Sequence, residues 1–233
     1  MTTLEQIEEK HNYTFPTLYK TLFEADMLNW MRGFESPLGK ETSWADDIYP
    51  TLKENPPLLL HSGGSDFELL TPSDILNFEF PEEWDTETHH FMPFAKTSEG
   101  NVYAFYKNVE VDEQNPIVLI WQDDEAEYIA KNFEDFIFRK MIEATDDIDQ
   151  DDLHADYGKE NPIELYRTDL LADLKSITPY LNETYITLLE TIYNAESIDM
   201  LFSYALKSEK KISYIVKEHI GFDLMGDVFD HED

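Results

Sequence analysis

The stretch that decides the fold is FMPFAKTSEGNVYAFYKNVEVDEQNPIVLIW, residues 91–121. It contains three short runs rich in aromatic and β-branched residues, which are residues 91–95, 102–106 and 117–121. A Gly-Asn pair and an Asn-Pro pair, both of which favour turns, separate the runs. Such runs between turn signals are typical of β-strands, and their alternating aromatic side chains suit a sheet packed on helices. The sequence therefore predicts three strands here.

The residues before this stretch predict two helices and a hairpin. Thr2 and Glu5 have the spacing of a capping box, which marks the start of the first helix. A second helix is expected from Pro16, because the first helical position does not need an N–H. Residues 57–61 and 66–70 read as the two strands of a hairpin around a Ser-Gly-Gly-Ser turn.

After residue 121 the pattern is helical, acidic and then helical again. A helix is predicted over 125–144, and residues 145–160 are interpreted as an acidic linker because their aspartates cannot pack against apolar surface. From residue 161 apolar residues repeat at helical spacing, and no strand pattern is visible. The predicted fold class is α+β: an α+β domain at 1–144, the linker, and an all-helical C-terminal extension at 161–233.

The amino-acid composition limits which kinds of macromolecule the protein is expected to bind. Fifty Asp and Glu face 17 Lys and Arg, a formal net charge of −33, while 42 % hydrophobic residues are enough for a packed core. Such a surface repels nucleic-acid phosphates and anionic lipid and attracts a basic protein. We therefore expect no nucleic-acid or membrane partner. The competing explanation is that the charge serves solubility alone.

The chain also carries signals about its compartment. It has no cysteine, its first residues have no positive or apolar signal region, and its longest apolar run is residues 117–121. A bilayer crossing needs about 20 apolar residues. These features suit a reducing environment and predict a cytoplasmic protein.

The sequence lacks the common motifs of catalysis, cofactor binding and metal binding. The sequence has no phosphate-binding loop, no dinucleotide fingerprint, no nucleophile elbow and no His-Glu-x-x-His. Asp147, Asp149 and Asp151 begin like a calcium loop, but Asp152 and Gly158 occupy its glycine and glutamate positions. Adjacent His89 and His90 would point to opposite faces of an extended chain. We expect no enzyme activity, no cofactor and no metal; a hydrolase using carboxylates is the remaining enzymatic alternative.

Three segments together resemble the SUKH superfamily. The first is similar to the family's opening helix pair, with Pro before a Tyr-Lys step. The second is similar to its central hairpin, in which a Pro-Phe strand leads to a Gly turn and an aromatic strand. The third is similar to its last strand and closing helix, with a Phe-Glu-x-Phe step. In chain order, the three segments are IEEK…FPTLYKTL (7–22), FMPFA…GNVYAF (91–105) and NPIV…IAKNFEDF (115–136). The Gly-Gly that many members have after the second helix is absent here, where Asn29–Gly33 stands.

The resemblance implies a mainly antiparallel sheet packed with helices and no shared catalytic residues. It also implies a function, because bacterial members are commonly immunity proteins that bind and neutralise a cognate toxin. The first hypothesis is thus an immunity protein for a polymorphic toxin with a basic surface. The alternative is a non-enzymatic regulatory scaffold, like the fungal glucan-synthesis regulators of the same superfamily.

Candidate partner-binding residues are the acids that flank the predicted sheet and begin the linker. They are Asp123, Asp124 and Glu125, with Asp146 and Asp147. Carboxylates of this kind steer a basic partner during encounter. The simpler interpretation of each is a solvated surface charge, which contributes little by itself.

Overall fold

The computed structural model describes residues 2–32, 43–64, 67–82, 84–122, 125–145, 150–158, 160–194 and 209–231. The chain divides into two compact units, each built from several segments. The sheet unit comprises Met1–Thr21, Ser65–Arg139 and Ile215–Asp233. The helical unit comprises Leu22–Gly64 and Lys140–Tyr214.

The sheet unit contains a six-stranded sheet whose strands follow one another in chain order, and every neighbouring pair is antiparallel. This confirms the predicted α+β class and the mainly antiparallel sheet. The strands are β1 Glu68–Leu69, β2 Phe91–Lys96, β3 Val102–Tyr106, β4 Ile117–Ile120, β5 Glu125–Ala130 and β6 Val228–Asp230. The three strands predicted at 91–121 are β2, β3 and β4.

The described residues form nine α-helices and one π-helical turn, Trp44–Ile48. The helices are α1 Thr3–His11, α2 Thr17–Glu24, α3 Tyr49–Leu52, α4 Pro72–Leu76, α5 Phe133–Glu143, α6 Gln150–Tyr157, α7 Pro162–Ile177, α8 Glu183–Tyr193 and α9 Glu209–Ile220. The predicted capping box at Thr2 and Glu5 is present at the start of α1. The predicted start of the second helix is confirmed within one residue.

The central strands are covered on both faces, which explains why all five residues of β3 are buried. On one face Phe105 lies against Phe133 of α5, with ring centroids 5.6 Å apart. On the other face Ala104 and Tyr106 belong to a core cluster that also contains Trp84. A strand buried on both faces reads as a continuous apolar run, and this is why β3 and β4 were visible in the sequence.

The helical unit packs around α7. Its inward face carries Leu170, Leu174 and Ile177, all of which are buried. Tyr193 at the end of α8 is fully buried, and its hydroxyl donates to the Met141 carbonyl at 2.6 Å. A buried phenol needs such a partner, so this hydrogen bond fixes the end of α8 against the last turn of α5.

Three sequence predictions are wrong. The predicted hairpin at 57–70 does not form, since residues 58–63 are turns and β1 pairs with β2 instead. The backbone N–H groups of this segment find other acceptors: Leu58 donates to the Met27 carbonyl, and His61 and Ser62 donate to Asp173. Because these N–H groups already have acceptors, pairing with a second strand would add no hydrogen bonds for them.

The predicted helix at 125–144 begins only at Phe133, because its first six residues form β5. Ala126, Tyr128 and Ala130 are buried while Glu125 is exposed, which follows the two-residue period of a strand. The extension predicted as all-helical also contains a strand, β6, which pairs with β5. Three residues are too few to give a readable pattern; pairing with the open edge of β5 makes them a strand.

The residues interpreted as an acidic linker include α6. The start of the calcium-like series, Asp147 and Asp149, lies outside the described residues, as does the predicted Ser197 cap. The division into 1–144, 145–160 and 161–233 stays a prediction about which parts fold independently.

Candidate partner-binding surface

Of the five predicted site residues, the structure describes Glu125. The other four, Asp123, Asp124, Asp146 and Asp147, lie outside the described residues. Glu125 is the first residue of β5, is exposed, and stands directly opposite Asp230 of β6. Glu125 therefore lies beside a strand, β6, that no pattern in the sequence predicts.

Glu125 belongs to a group of carboxylates that we name the acidic corner: Glu125, Glu127, Asp227 and Asp230. Directly opposed residues of antiparallel strands share a face. Glu125 opposes Asp230, and Glu127 opposes Val228, so the side chains of these two pairs lie on one face of the β5–β6 pair. Val228 is 48 % exposed and gives this face an apolar centre between carboxylates.

Asp227 lies on the opposite face of the same pair. The Tyr128 N–H donates to the Asp227 carbonyl at 3.1 Å, which sets the two residues side by side. Burial raises the pKa of Tyr128 to about 12, and the neighbouring Tyr106 and the charge of Asp227 add to the effect. The Tyr128 hydroxyl is therefore neutral throughout the physiological range, and the negative charge at this edge comes from the carboxylates alone.

The acidic corner lies apart from the ion pairs that the structure describes. No ion pair involves any of its four carboxylates within the part of the chain that the structure describes; the ion pairs of the sheet unit, such as Lys20–Glu8 and Lys96–Glu68, lie elsewhere. Like charges directly opposite each other on two strands destabilise the pair. A lysine or arginine brought by a partner would remove this repulsion, so the corner is suited to bind a basic surface.

A second acidic cluster lies in the helical unit and is buried. Asp169 and Asp173 are one turn apart on α7, and each is only 2 % exposed. Asp173 Oδ2 accepts three hydrogen bonds, from the His61 N–H at 3.0 Å, the Ser62 N–H at 2.8 Å and the Ser62 hydroxyl at 2.7 Å. Burial raises the pKa of Asp173, while the nearby His61 and the hydrogen bonds from Ser62 and His61 oppose that rise.

Asp169 is surrounded by polar groups of three other segments. Its Oδ2 lies 3.5 Å from the Tyr49 hydroxyl, 3.4 Å from Lys53 Nζ and 3.9 Å from His61 Nδ1. Burial, followed by the charge of Asp169, raises the pKa of Tyr157. Because the two carboxylates serve as acceptors for the backbone and side chains of residues 49–62, their evident role is to hold that segment on α7.

Sequence reasoning missed this cluster. The only signal was that Asp169 and Asp173 adjoin Leu170 and Leu174 in the predicted apolar stripe of a helix. His89, which adjoins His90 in the sequence, is packed among rings: its Nδ1 is 2.8 Å from the Tyr106 hydroxyl, and it stacks on Phe229 at 5.5 Å. Among the described residues, no group of three or more His, Asp or Glu side chains could hold a metal ion.

The fold is thus of the α+β class, with one antiparallel sheet packed with helices and a group of carboxylates at the β5–β6 edge. Residues 2–139, more than half of the chain, match the SMI1 / KNR4 family (SUKH-1), and the chain belongs to this family. Membership confirms the resemblance seen in the sequence and points to protein–protein interaction in general. Searches among curated proteins and solved structures gave no match.

The family match ends within α5, so β6 and helices α6 to α9 lie outside it. The acidic corner thus combines a family strand, β5, with a strand from the extension. Of the helices described, none has the length and apolar character that crossing a membrane requires.

Proposed function

We propose that this protein is an immunity protein that binds and neutralises a cognate toxin with a basic surface. The observation that carries the proposal is the like-charged pair Glu125 and Asp230 beside the exposed Val228, on a chain with a net charge of −33. Membership of the SUKH-1 family supports protein–protein interaction in general, and the negative net charge favours a basic protein as the partner.

The acidic corner would act in two stages. The field of the whole chain accelerates encounter with a cationic protein, and this acceleration falls as salt is added. At contact, lysine or arginine side chains replace the repulsion between Glu125 and Asp230 with attraction, and Val228 is removed from water. Neutralisation then follows from occupying the toxin's surface. It requires no catalysis, cofactor or metal of this protein, and we propose that it takes place in the cytoplasm.

The test begins with the product of the neighbouring gene, co-expressed with this protein. We expect a stoichiometric complex and protection of cells from the toxicity of that gene. The association rate of the complex should fall at least about tenfold between 50 and 500 mM salt, as for other electrostatically steered pairs.

Charge reversal separates the corner from the global charge. Glu125→Lys with Glu127→Lys should slow association, whereas Glu9→Lys with Glu190→Lys changes the net charge equally at exposed sites of α1 and α8. If the two double variants slow association equally, the acidic corner is not the contact surface. Failure to form any complex would overturn the immunity function, and several partners of modest affinity would favour the regulatory scaffold instead.

A further inference from the structure

The helical unit carries a stacked pair of tryptophans, of which Trp44 is exposed and Trp30 is half-buried. The indole rings of Trp30 and Trp44 are stacked, with centroids 6.4 Å apart and planes 27° from parallel. Trp44 is 40 % exposed, and Met31, next to Trp30 in the chain, is 43 % exposed. We name Trp30, Met31 and Trp44 the indole patch. Tryptophan and methionine are enriched in protein interfaces, and a large exposed apolar group is costly in water.

The indole patch is held in place by hydrogen bonds on both of its sides. Trp30 Nε1 donates to the Leu58 carbonyl at 2.9 Å, and the Met31 N–H donates to Asn29 Oδ1 at 2.9 Å. On the other side, the Ser43 N–H donates to Asp47 Oδ2 at 3.0 Å, just before Trp44. A contact surface that is already ordered loses less conformational entropy on binding than a mobile one.

The two segments that carry the patch are acidic in sequence. Residues 22–32 and 43–55 contain five carboxylates, Glu24, Asp26, Asp46, Asp47 and Glu54, and two cations, Arg32 and Lys53. Asp26 is tied to the patch because its Oδ1 accepts from Asn29 Nδ2 at 3.0 Å. Arg32 is turned toward the protein, where its guanidinium donates to the Asn55 carbonyl and contacts the Met27 sulfur at 3.8 Å.

The negative charge of these segments favours a basic protein as the molecule that binds the indole patch. A second copy of the chain would bring five more carboxylates to the same place, and nucleic acid or anionic lipid would bring phosphates. A basic protein surface fits, since an arginine or lysine can lie over the exposed face of an indole while the acids around it bind the neighbouring cations.

We propose that the indole patch is the anchoring contact for a basic protein partner, with an arginine or lysine of the partner lying on the Trp44 ring. The inference rests on the proposed function in taking the partner to be basic, but it concerns a different surface from the acidic corner. An anchor of this kind lengthens the lifetime of a complex, whereas exposed charges mainly speed its formation.

The first experiment needs no natural partner. Hexa-arginine is titrated into the full chain, and the indole N–H signals of the four tryptophans are followed by NMR at 150 mM salt. We expect a saturable shift of the Trp44 signal, a weaker shift with hexa-lysine because lysine does not stack, and none with hexa-glutamate. A Trp44 signal that stays in place while hexa-arginine binds elsewhere, or no binding at all, would overturn the inference.

The second experiment uses the neighbouring-gene product if it forms a complex. Trp44→Ala should raise the dissociation rate about tenfold or more with little change in the association rate. The matched control is Leu165→Ala, which removes a 44 % exposed apolar side chain of the same unit and should change the rate less than about twofold. Equal effects of the two variants would contradict the anchor.

The two outcomes are separable from those of the proposed function. If the gene product does not bind, the immunity role fails while the hexa-arginine titration still decides the patch. If the wild-type chain sediments as a dimer and Trp44→Ala is a monomer, the patch is a contact between copies and the proposal is wrong.

Discussion

Asp173 accepts two hydrogen bonds from Ser62, one from its N–H at 2.8 Å and one from its hydroxyl at 2.7 Å, across 111 positions of sequence. With a third hydrogen bond from the His61 N–H, a single carboxylate oxygen satisfies two consecutive backbone donors. Buried donors without an acceptor are costly, so this carboxylate determines the conformation of the segment that sequence patterns predict as a strand.

The first prediction concerns the stability of this contact. Asp173→Ala leaves three buried donors without an acceptor and should lower the free energy of unfolding by about 3 kcal/mol or more. Ser62→Ala removes one donor and should cost about 1 kcal/mol. Urea unfolding followed by tryptophan fluorescence measures both. Glu190→Ala, at an exposed site of α8, is the control and should stay within about 0.5 kcal/mol of the wild type. An Asp173→Ala protein as stable as this control would contradict the assignment.

The second prediction concerns pH. Burial raises the pKa of Asp173 in the folded state, so the folded protein favours the neutral carboxyl more than the unfolded chain does. The stability that this group contributes is therefore complete below the unfolded pKa of about 3.9 and is lost as the pH rises through the folded value. The titratable groups near it are His61 and Tyr193.

Asp173→Asn removes this titration. The stability of the wild type minus that of the variant should fall as the pH rises from 4 toward 8, by at most about 1.4 kcal/mol per pH unit for one proton. Urea unfolding at pH 4.5, 6 and 8 gives the comparison, with Glu190→Gln as a variant for which the difference should stay flat. A difference that grows with pH would mean that the hydrogen bonds outweigh burial.

The third prediction compares two glycines with positive φ. Gly100, at φ +92°, and Gly226, at φ +83°, both lie where a Cβ is strained, and Ala at either should cost about 1 kcal/mol. At Gly100 the Cβ would also lie 2.1 Å from Gln122 Nε2, whereas nothing lies within 4 Å at Gly226.

Gly100→Ala must therefore displace the Gln122 side chain and break its 2.6 Å hydrogen bond to the Glu99 carbonyl. We expect it to cost about 1 kcal/mol more than Gly226→Ala in urea unfolding. In the Gln122→Ala background this excess should disappear. If the excess persists there, the Gln122 contact is not its cause.

The fourth prediction addresses independent folding. A chain of residues 1–144 lacks α7, which supplies the acceptor for the 61–62 backbone, and lacks β6, which covers the edge of β5. We expect it to lose cooperative urea unfolding and the dispersion of its amide NMR signals. A chain of residues 1–221 keeps α7 but loses β6 and the fully buried His231, whose carbonyl accepts from the Asp85 N–H at 2.7 Å.

The 1–221 chain should fold with reduced stability. The comparison of the two chains separates the contribution of α7 from that of β6. A native-like spectrum for residues 1–144 would support the domain boundaries predicted from the sequence, and would show that the SUKH-1 region is independent of the extension.

Parts of the fold were readable because their signals are local. The strands β2, β3 and β4 stand out as apolar runs between turns, and the capping box at Thr2 needs only Glu5, three residues away. The segment EAEYIA at 125–130 was misread because its apolar residues also fit a helix. Pairing with β4 on one side and β6 on the other makes it a strand, and no local pattern reports that pairing.

For the candidate surfaces, too, composition was readable from the sequence, whereas the contacts between distant residues were not. Composition alone gave the excess of negative charge and the basic character of the expected partner. It could not tell which carboxylates face a like charge or are buried: Glu125 is distinguished by Asp230, more than 100 residues away, and Asp173 by Ser62. The stacking of half-buried Trp30 on exposed Trp44 is likewise a relation between two segments.

The sequence by itself determined the class of the fold, its central strands, its family and the sign of its charge, because propensity, periodicity and composition are properties of neighbouring residues or of sums over them. Only the tertiary structure decided which acids are buried as acceptors, which repel each other at an edge, and which aromatic rings remain exposed. Burial and partner choice depend on contacts between distant residues, and those contacts exist only after the chain has folded.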